Sequence, residues 1–129
     1  MMVPKNKKKT KEPVRKKESP GGTDAVKTPD IRQEKETARL IHDLSFGSDE
    51  IIRSKAAGAL GHARSEEAIG PLIEALRDPH VYVRHGAAWA LGEIKSDRAV
   101  DALKEALSDA DEITRNKAAE ALEKIQGRS

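Results

Sequence analysis

A tandem repeat constrains this chain more than any other feature of its sequence. Residues 50–80, shifted by 31 positions onto 81–111, match at 13 of 31 positions, where usual residue frequencies would give about two. The register continues into a third copy. Arg53, Arg84 and Arg115 align, then Ala56, Ala87 and Ala118, then Ala57, Ala88 and Ala119, and then Leu60, Leu91 and Leu122. In the preceding segment, Leu72, Ala75, Leu76 and Asp78 match Leu103, Ala106, Leu107 and Asp109. Leu40, Ile41 and Leu44 fall on the same pattern once an extra residue is allowed in the Phe46–Asp49 turn. A chain of this kind buries its apolar faces by stacking one small unit on the next.

The repeating unit reads as a pair of helices. Ala68, Ile69, Leu72, Ile73 and Leu76 form one helical stripe, and Val83, Ala87, Ala90, Leu91 and Ile94 form the next. Asp, Pro and Ser punctuate the chain at Arg77-Asp78-Pro79-His80 and Lys95-Ser96-Asp97. The pattern predicts helices over about 30–46, 50–63, 66–77, 81–95, 97–108 and 112–126. These make three helical hairpins, with units of about 30–64, 65–95 and 96–127. Phe46, Tyr82 and Trp89 are the only aromatic residues, so Ala and Leu must build the core. Close helices suit that set, whereas a β-sandwich would need more Val, Tyr and Phe.

Charge divides the 129 residues unevenly. Residues 1–20 hold eight basic side chains against Glu12 and Glu18, a net of +6, and residues 21–129 carry a net of −4. Pro4, Pro13, Pro20, the Gly21-Gly22 pair and scattered apolar residues mark 1–27 as a disordered basic tail. Thr28-Pro29-Asp30 has the composition of a helix start, which places the folded domain at 28–129. Three readings of the tail stay open: a solvated extension, a nucleic-acid contact arm, or a contact for an acidic partner or anionic membrane. Basic tails draw phosphate by counterion release without sequence choice. With no aromatic interleaved for stacking on bases, nucleic-acid contact would be weak and strongly salt-dependent.

Several classes of chemistry find no support. The chain has no cysteine, hence no disulfide, thiolate metal site or thiol nucleophile. It holds no Gly-x-Ser-x-Gly elbow and no glycine-rich phosphate loop. No apolar run approaches the roughly 20 residues that span a bilayer, and no apolar region follows the charged N-terminus. A cytoplasmic location and no enzymatic activity are the expectations.

The repeat pattern resembles HEAT repeats, specifically the short HEAT-like class named after phycobilisome lyases. The residues that carry the likeness are Ala68-Ile69-Gly70-Pro71-Leu72-Ile73-Glu74-Ala75-Leu76-Arg77-Asp78-Pro79, then Val83-Arg84, Ala87-Ala88 and Ala90-Leu91-Gly92-Glu93-Ile94. The resemblance covers roughly 30–127 and implies an all-α, right-handed α-solenoid. It also implies a ladder. Asp78 precedes Arg84 by six residues and Asp109 precedes Arg115 by six, so each pair is expected to bond across its inter-helix turn. Gly47 stands six before Arg53, so Asp49 must substitute there or the rung is missing. Gly61 and Gly92 would let the next unit approach closely, and Glu123 takes that place in the third unit.

In such folds the second helix of each unit lines the concave face. Tyr82, His85 and Trp89 would project there at i, i+3 and i+7, flanked by Ile51, Ser54, Gly58 and His62 on one side. Ile113, Asn116, Glu120 and Glu123 flank them on the other. Tyr82, His85, Trp89, Gly58, His62, Asn116 and Glu120 are thus the candidate partner-binding residues, with Gly58 leaving a slot beside Trp89. Trp89 equally reads as a packing residue between small neighbours. Val83-Arg84-His85-Gly86-Ala87-Ala88 resembles the segment of HEAT-like deoxyhypusine hydroxylases whose His-Glu pairs bind iron. Here Gly86 replaces the glutamate, and Ser54-Lys55 and Asn116-Lys117 offer no ligand, so no metal and no cofactor are expected. The functional expectation is a non-enzymatic adaptor that binds a partner peptide or helix. The alternatives are a nucleic-acid-associated accessory protein using the tail, and an enzyme subunit related to bilin lyases. A monomer is expected, with end-to-end self-association left open.

Overall fold

The computed structural model describes residues 31–127, and everything below concerns those residues. The expected basic tail at 1–27 and the helix start at Thr28-Pro29-Asp30 lie outside them. Six α-helices and no strands are present among the described residues: α1 (Ile31–Phe46), α2 (Glu50–Ala63), α3 (Ile69–Ala75), α4 (Val81–Ile94), α5 (Val100–Ala106) and α6 (Glu112–Ile125). None is long and apolar enough to cross a membrane.

Capping side chains start the even-numbered helices at positions that repeat with the sequence. Asp49 Oδ1 accepts from the Ile52 amide at 2.9 Å, His80 Nδ1 from the Tyr82 amide at 3.2 Å, and Asp111 Oδ2 from the Thr114 amide at 2.8 Å. Arg64 and Lys95 end α2 and α4 in the left-handed region, at φ 51° and 61°. The segments expected as helices over 66–77 and 97–108 are shorter as α-helices. Each opens with a 3-10 turn, where the Ala68 and Ala99 amides reach the Ser65 and Ser96 carbonyls at 3.2 and 3.1 Å. Each also closes on tightened bonds, with the Asp78 and Asp109 amides donating to the Ala75 and Ala106 carbonyls at 3.1 Å.

The core consists of Ala and Leu with a few β-branched residues. Leu60, Leu72, Leu91, Leu103, Val83, Ala57, Ala87 and Ala88 are fully buried. α3 packs on α4 and α5 on α6, while α2 packs on α4 and α4 on α6. α1 joins through Leu40, Ile41 and Leu44. Glycines set the spacing of the even helices. A Cβ on Gly61 would lie 2.8 Å from Ala90 Cα, and one on Gly92 would lie 2.9 Å from Ala121 Cα. Only a missing side chain admits the neighbouring backbone so closely.

The arginine ladder exists, with different partners from those the six-residue spacing implied. Arg84 donates from Nη1 to the Asp78 main-chain carbonyl at 2.7 Å, and its Nε and Nη2 turn to the Asp109 carboxylate at 3.0 and 3.3 Å. The Asp78 carboxylate is held by Arg53 of the preceding repeat, at 2.8 Å from Nε and 3.2 Å from Nη2. Arg53 and Arg84 therefore each grip their own turn by a carbonyl and the next turn by a carboxylate. This also corrects the expectation for the first unit. Arg53 donates to the Gly47 carbonyl at 2.9 Å, which needs no acidic side chain, and Asp49 serves as a cap. Arg115 donates to the Asp109 and Ala110 carbonyls at 2.7 and 3.2 Å.

Candidate functional site

The outward face of α2, α4 and α6 presents the same helical positions three times. Nearest the caps stand Ile51, Tyr82 and Ile113, one repeat apart, with 60%, 62% and 51% of their surfaces exposed. Burying an apolar side chain of this size stabilises a contact by about 1.5–3 kcal/mol. A row of three left open across adjacent helices is therefore a surface with binding capacity. Tyr82 was a candidate from the sequence. Ile51 and Ile113 were only flanking positions there, and the signal that identifies them is the 31-residue period applied to Tyr82 itself.

His85 is anchored rather than free. Its Nε2 lies 2.6 Å from Asp111 Oδ2, so it ties α4 to the cap of α6. That same oxygen accepts from the Thr114 amide and from the Thr114 hydroxyl at 2.9 Å. The His85 contact first, then the Thr114 amide, hold the Asp111 carboxyl at a pKa of about 2. Tyr82 lies between two histidines, with ring centroids 5.2 Å from His80 and 5.9 Å, edge-on, from His85. His80 Nε2 stands 3.8 Å from a Glu50 carboxylate oxygen.

Trp89 is half-buried and sits across two helices. A Cβ on Gly61 would be 2.6 Å from the indole Cζ3, and the exposed His62 ring meets the indole edge-on at 4.8 Å. The glycine beneath the ring is thus Gly61, whereas a Cβ on Gly58 would have nothing within 4 Å. Asn116 and Glu120 are exposed on α6. The structure brings Tyr82 to His85 and Trp89 to His62, and leaves Gly58, Asn116 and Glu120 as open surface. Among the described residues, no group of three His, Asp or Glu side chains is placed to hold a metal ion.

The family comparison agrees with this architecture. A model of HEAT repeats matches residues 37–123, from within α1 to the last turns of α6. No curated protein matches the chain. With helix pairs, glycine-spaced second helices and an arginine ladder under a family match spanning most of its length, the chain belongs to the HEAT repeats family.

Proposed function

We propose that this protein is a non-enzymatic adaptor that binds a peptide or helix of a partner protein across α2, α4 and α6. The observation that carries the reading is the exposed row Ile51–Tyr82–Ile113. Packed helices stand about 8–10 Å apart, so the row offers anchors at that interval. A partner helix presents residues seven apart at about 10.5 Å, and a polyproline-II segment, with three residues per turn, presents residues three apart on one side at about 9 Å. Either can seat one side chain per repeat. His85, Trp89, His62, Asn116 and Glu120 surround the row and set the polar contacts, and Gly58 leaves room for a partner side chain. HEAT repeats are in general protein-interaction scaffolds, and a rigid array loses little entropy on binding.

Three helical hairpins in a right-handed solenoid are the arrangement this reading assumes, with α2, α4 and α6 on its concave side. The short 31-residue period favours the phycobilisome-lyase type of repeat, as a relationship of fold and not of activity. The experiment is affinity capture from nuclease-treated lysate of the source cells, with full-length chain, residues 28–129, and full-length Tyr82→Ala as baits. A protein held by the first two and lost by the third supports the row as the binding site. Capture by the full-length bait alone, abolished by nuclease or salt, would move the function to the basic tail.

A further inference from the structure

The last helix carries a stripe that is complementary to itself. On α2 the residues facing the next repeat are Arg53, Ala57 and Gly61, and on α4 they are Arg84, Ala88 and Gly92. Each arginine there holds a carboxylate of the following turn, Ala57 and Ala88 are fully buried, and each glycine touches the following helix. The same positions on α6 are Arg115, Ala119 and Glu123. Arg115 is half-buried, bonded to the Asp109 and Ala110 carbonyls, and no carboxylate among the described residues reaches it. Ala119 and Glu123 are exposed. Beside them Leu107 is 41% exposed, where its counterpart Leu76 is 6% exposed.

Two facts restrict what can cover this face. Glu123 stands where a single Cβ on Gly92 would already come within 2.9 Å of the neighbouring backbone, so a further repeat cannot dock in the register of the first three. At the opposite end of the described array, Gly47 holds the position of Asp78 and Asp109, so a copy stacked head-to-tail would present no carboxylate to Arg115 at the rung itself. Head-to-tail stacking is thus unsuited to both ends.

We propose that the α5–α6 face binds a second copy of this chain about a two-fold axis, with the two α6 helices antiparallel and crossing at Ala119. Arg115, Ala119 and Glu123 are spaced i, i+4, i+8, so they share one side of the helix over about 12 Å. Antiparallel packing centred on Ala119 sets Arg115 of each copy against Glu123 of the other. The small residue at the crossing admits the close approach that helix pairs take at about 8–10 Å. Leu107 of each copy adds apolar contact at the side, as an isologous interface requires of a repeated patch. The two arginine–glutamate pairs fix the register.

The test is sedimentation of the full-length chain up to about 0.5 mM, a concentration that reveals even weak dimers. A concentration-dependent dimer is expected. Glu123→Arg and Arg115→Glu should each weaken it at least about 100-fold, by opposing like charges at both ends of the crossing. An equimolar mixture of the two variants should restore dimers, now mixed, to within about tenfold of the original affinity. Arg115 also holds its own turn, so circular dichroism of Arg115→Glu accompanies the experiment. If that variant fails to fold, Ala119→Arg, placed at an exposed position, replaces the rescue arm and must give a folded monomer. A monomer at every concentration overturns the proposal. So does a dimer indifferent to Glu123→Arg or Ala119→Arg, or two folded charge variants that fail to rescue each other.

Discussion

Arg84 and Asp109 lie 25 residues apart and close the turn of one repeat onto the turn of the next, with Arg84 Nε 3.0 Å from a carboxylate oxygen. Asp78, six residues before Arg84, supplies only its main-chain carbonyl. The carboxylates of both turn aspartates also accept from a nearby amide, His80 for Asp78 and Asp111 for Asp109, each at 2.9 Å. The ladder thus fastens turns between repeats as well as within them.

A double-mutant cycle separates the two partners of Arg84. Coupling between Arg84→Ala and Asp109→Ala should be about 1–3 kcal/mol in chemical denaturation, because the pair is largely shielded from water. Coupling between Arg84→Ala and Asp78→Ala should be near zero at the side-chain level. Equal couplings would restore the pairing that the sequence spacing suggests.

Two glycines on the even helices should respond oppositely to alanine. Gly92→Ala places a Cβ 2.9 Å from Ala121 Cα, and forcing the helices apart should cost about 1–3 kcal/mol. Gly58→Ala meets nothing within 4 Å and lies mid-helix, so it should stabilise by roughly 0.5–1 kcal/mol. Thermal or denaturant unfolding of the two variants reads both signs.

Much of the fold is legible in the sequence because stacking of similar units imprints its period on the residues it buries. Leu60, Leu91 and Leu122 mark the even helices without reference to anything else. The ladder is misread for a definite reason. Spacing shows which residues occur together, but a carbonyl leaves no trace in residue identity, so the Arg84–Asp78 contact looks like a carboxylate pair. The ends of α2 and α4 are legible to within a residue, but the left-handed conformation of Arg64 and Lys95 that closes them is not, since no glycine stands there to signal it. At the candidate site the face is legible and its texture is not. The exposure of Ile51 and Ile113, and the seating of Trp89 on Gly61, depend on how neighbouring helices are rotated against one another.

Acid should weaken the α4–α6 junction. Asp111 is held at about 2, first by His85 and then by the Thr114 amide. The folded-state pKa is thus below the unfolded value of about 3.9. Its stabilising effect is full above the unfolded value and is lost as pH falls from about 4 through about 2. His85→Ala should move the Asp111 titration upward toward the ordinary aspartate range, followed by carboxyl carbon NMR. No movement would show that the histidine contact is not the main cause.

Tyr82 and Trp89 should separate binding from packing. Tyr82→Ala removes an exposed ring and should change stability by no more than about 0.5 kcal/mol, while weakening a partner that uses the row by about 2 kcal/mol. Trp89→Ala removes a ring that bridges Gly61 and His62, and should lower stability by about 1–3 kcal/mol. Unfolding curves set beside partner titrations decide between the two roles.

The most direct measurement maps the captured partner onto the chain by backbone and methyl NMR shifts during titration. Perturbations should concentrate at Ile51, Tyr82 and Ile113, with smaller changes at Ser54, His85 and Asn116. Perturbations confined to residues 1–27, or to α3 and α5, would contradict a binding site on the even helices.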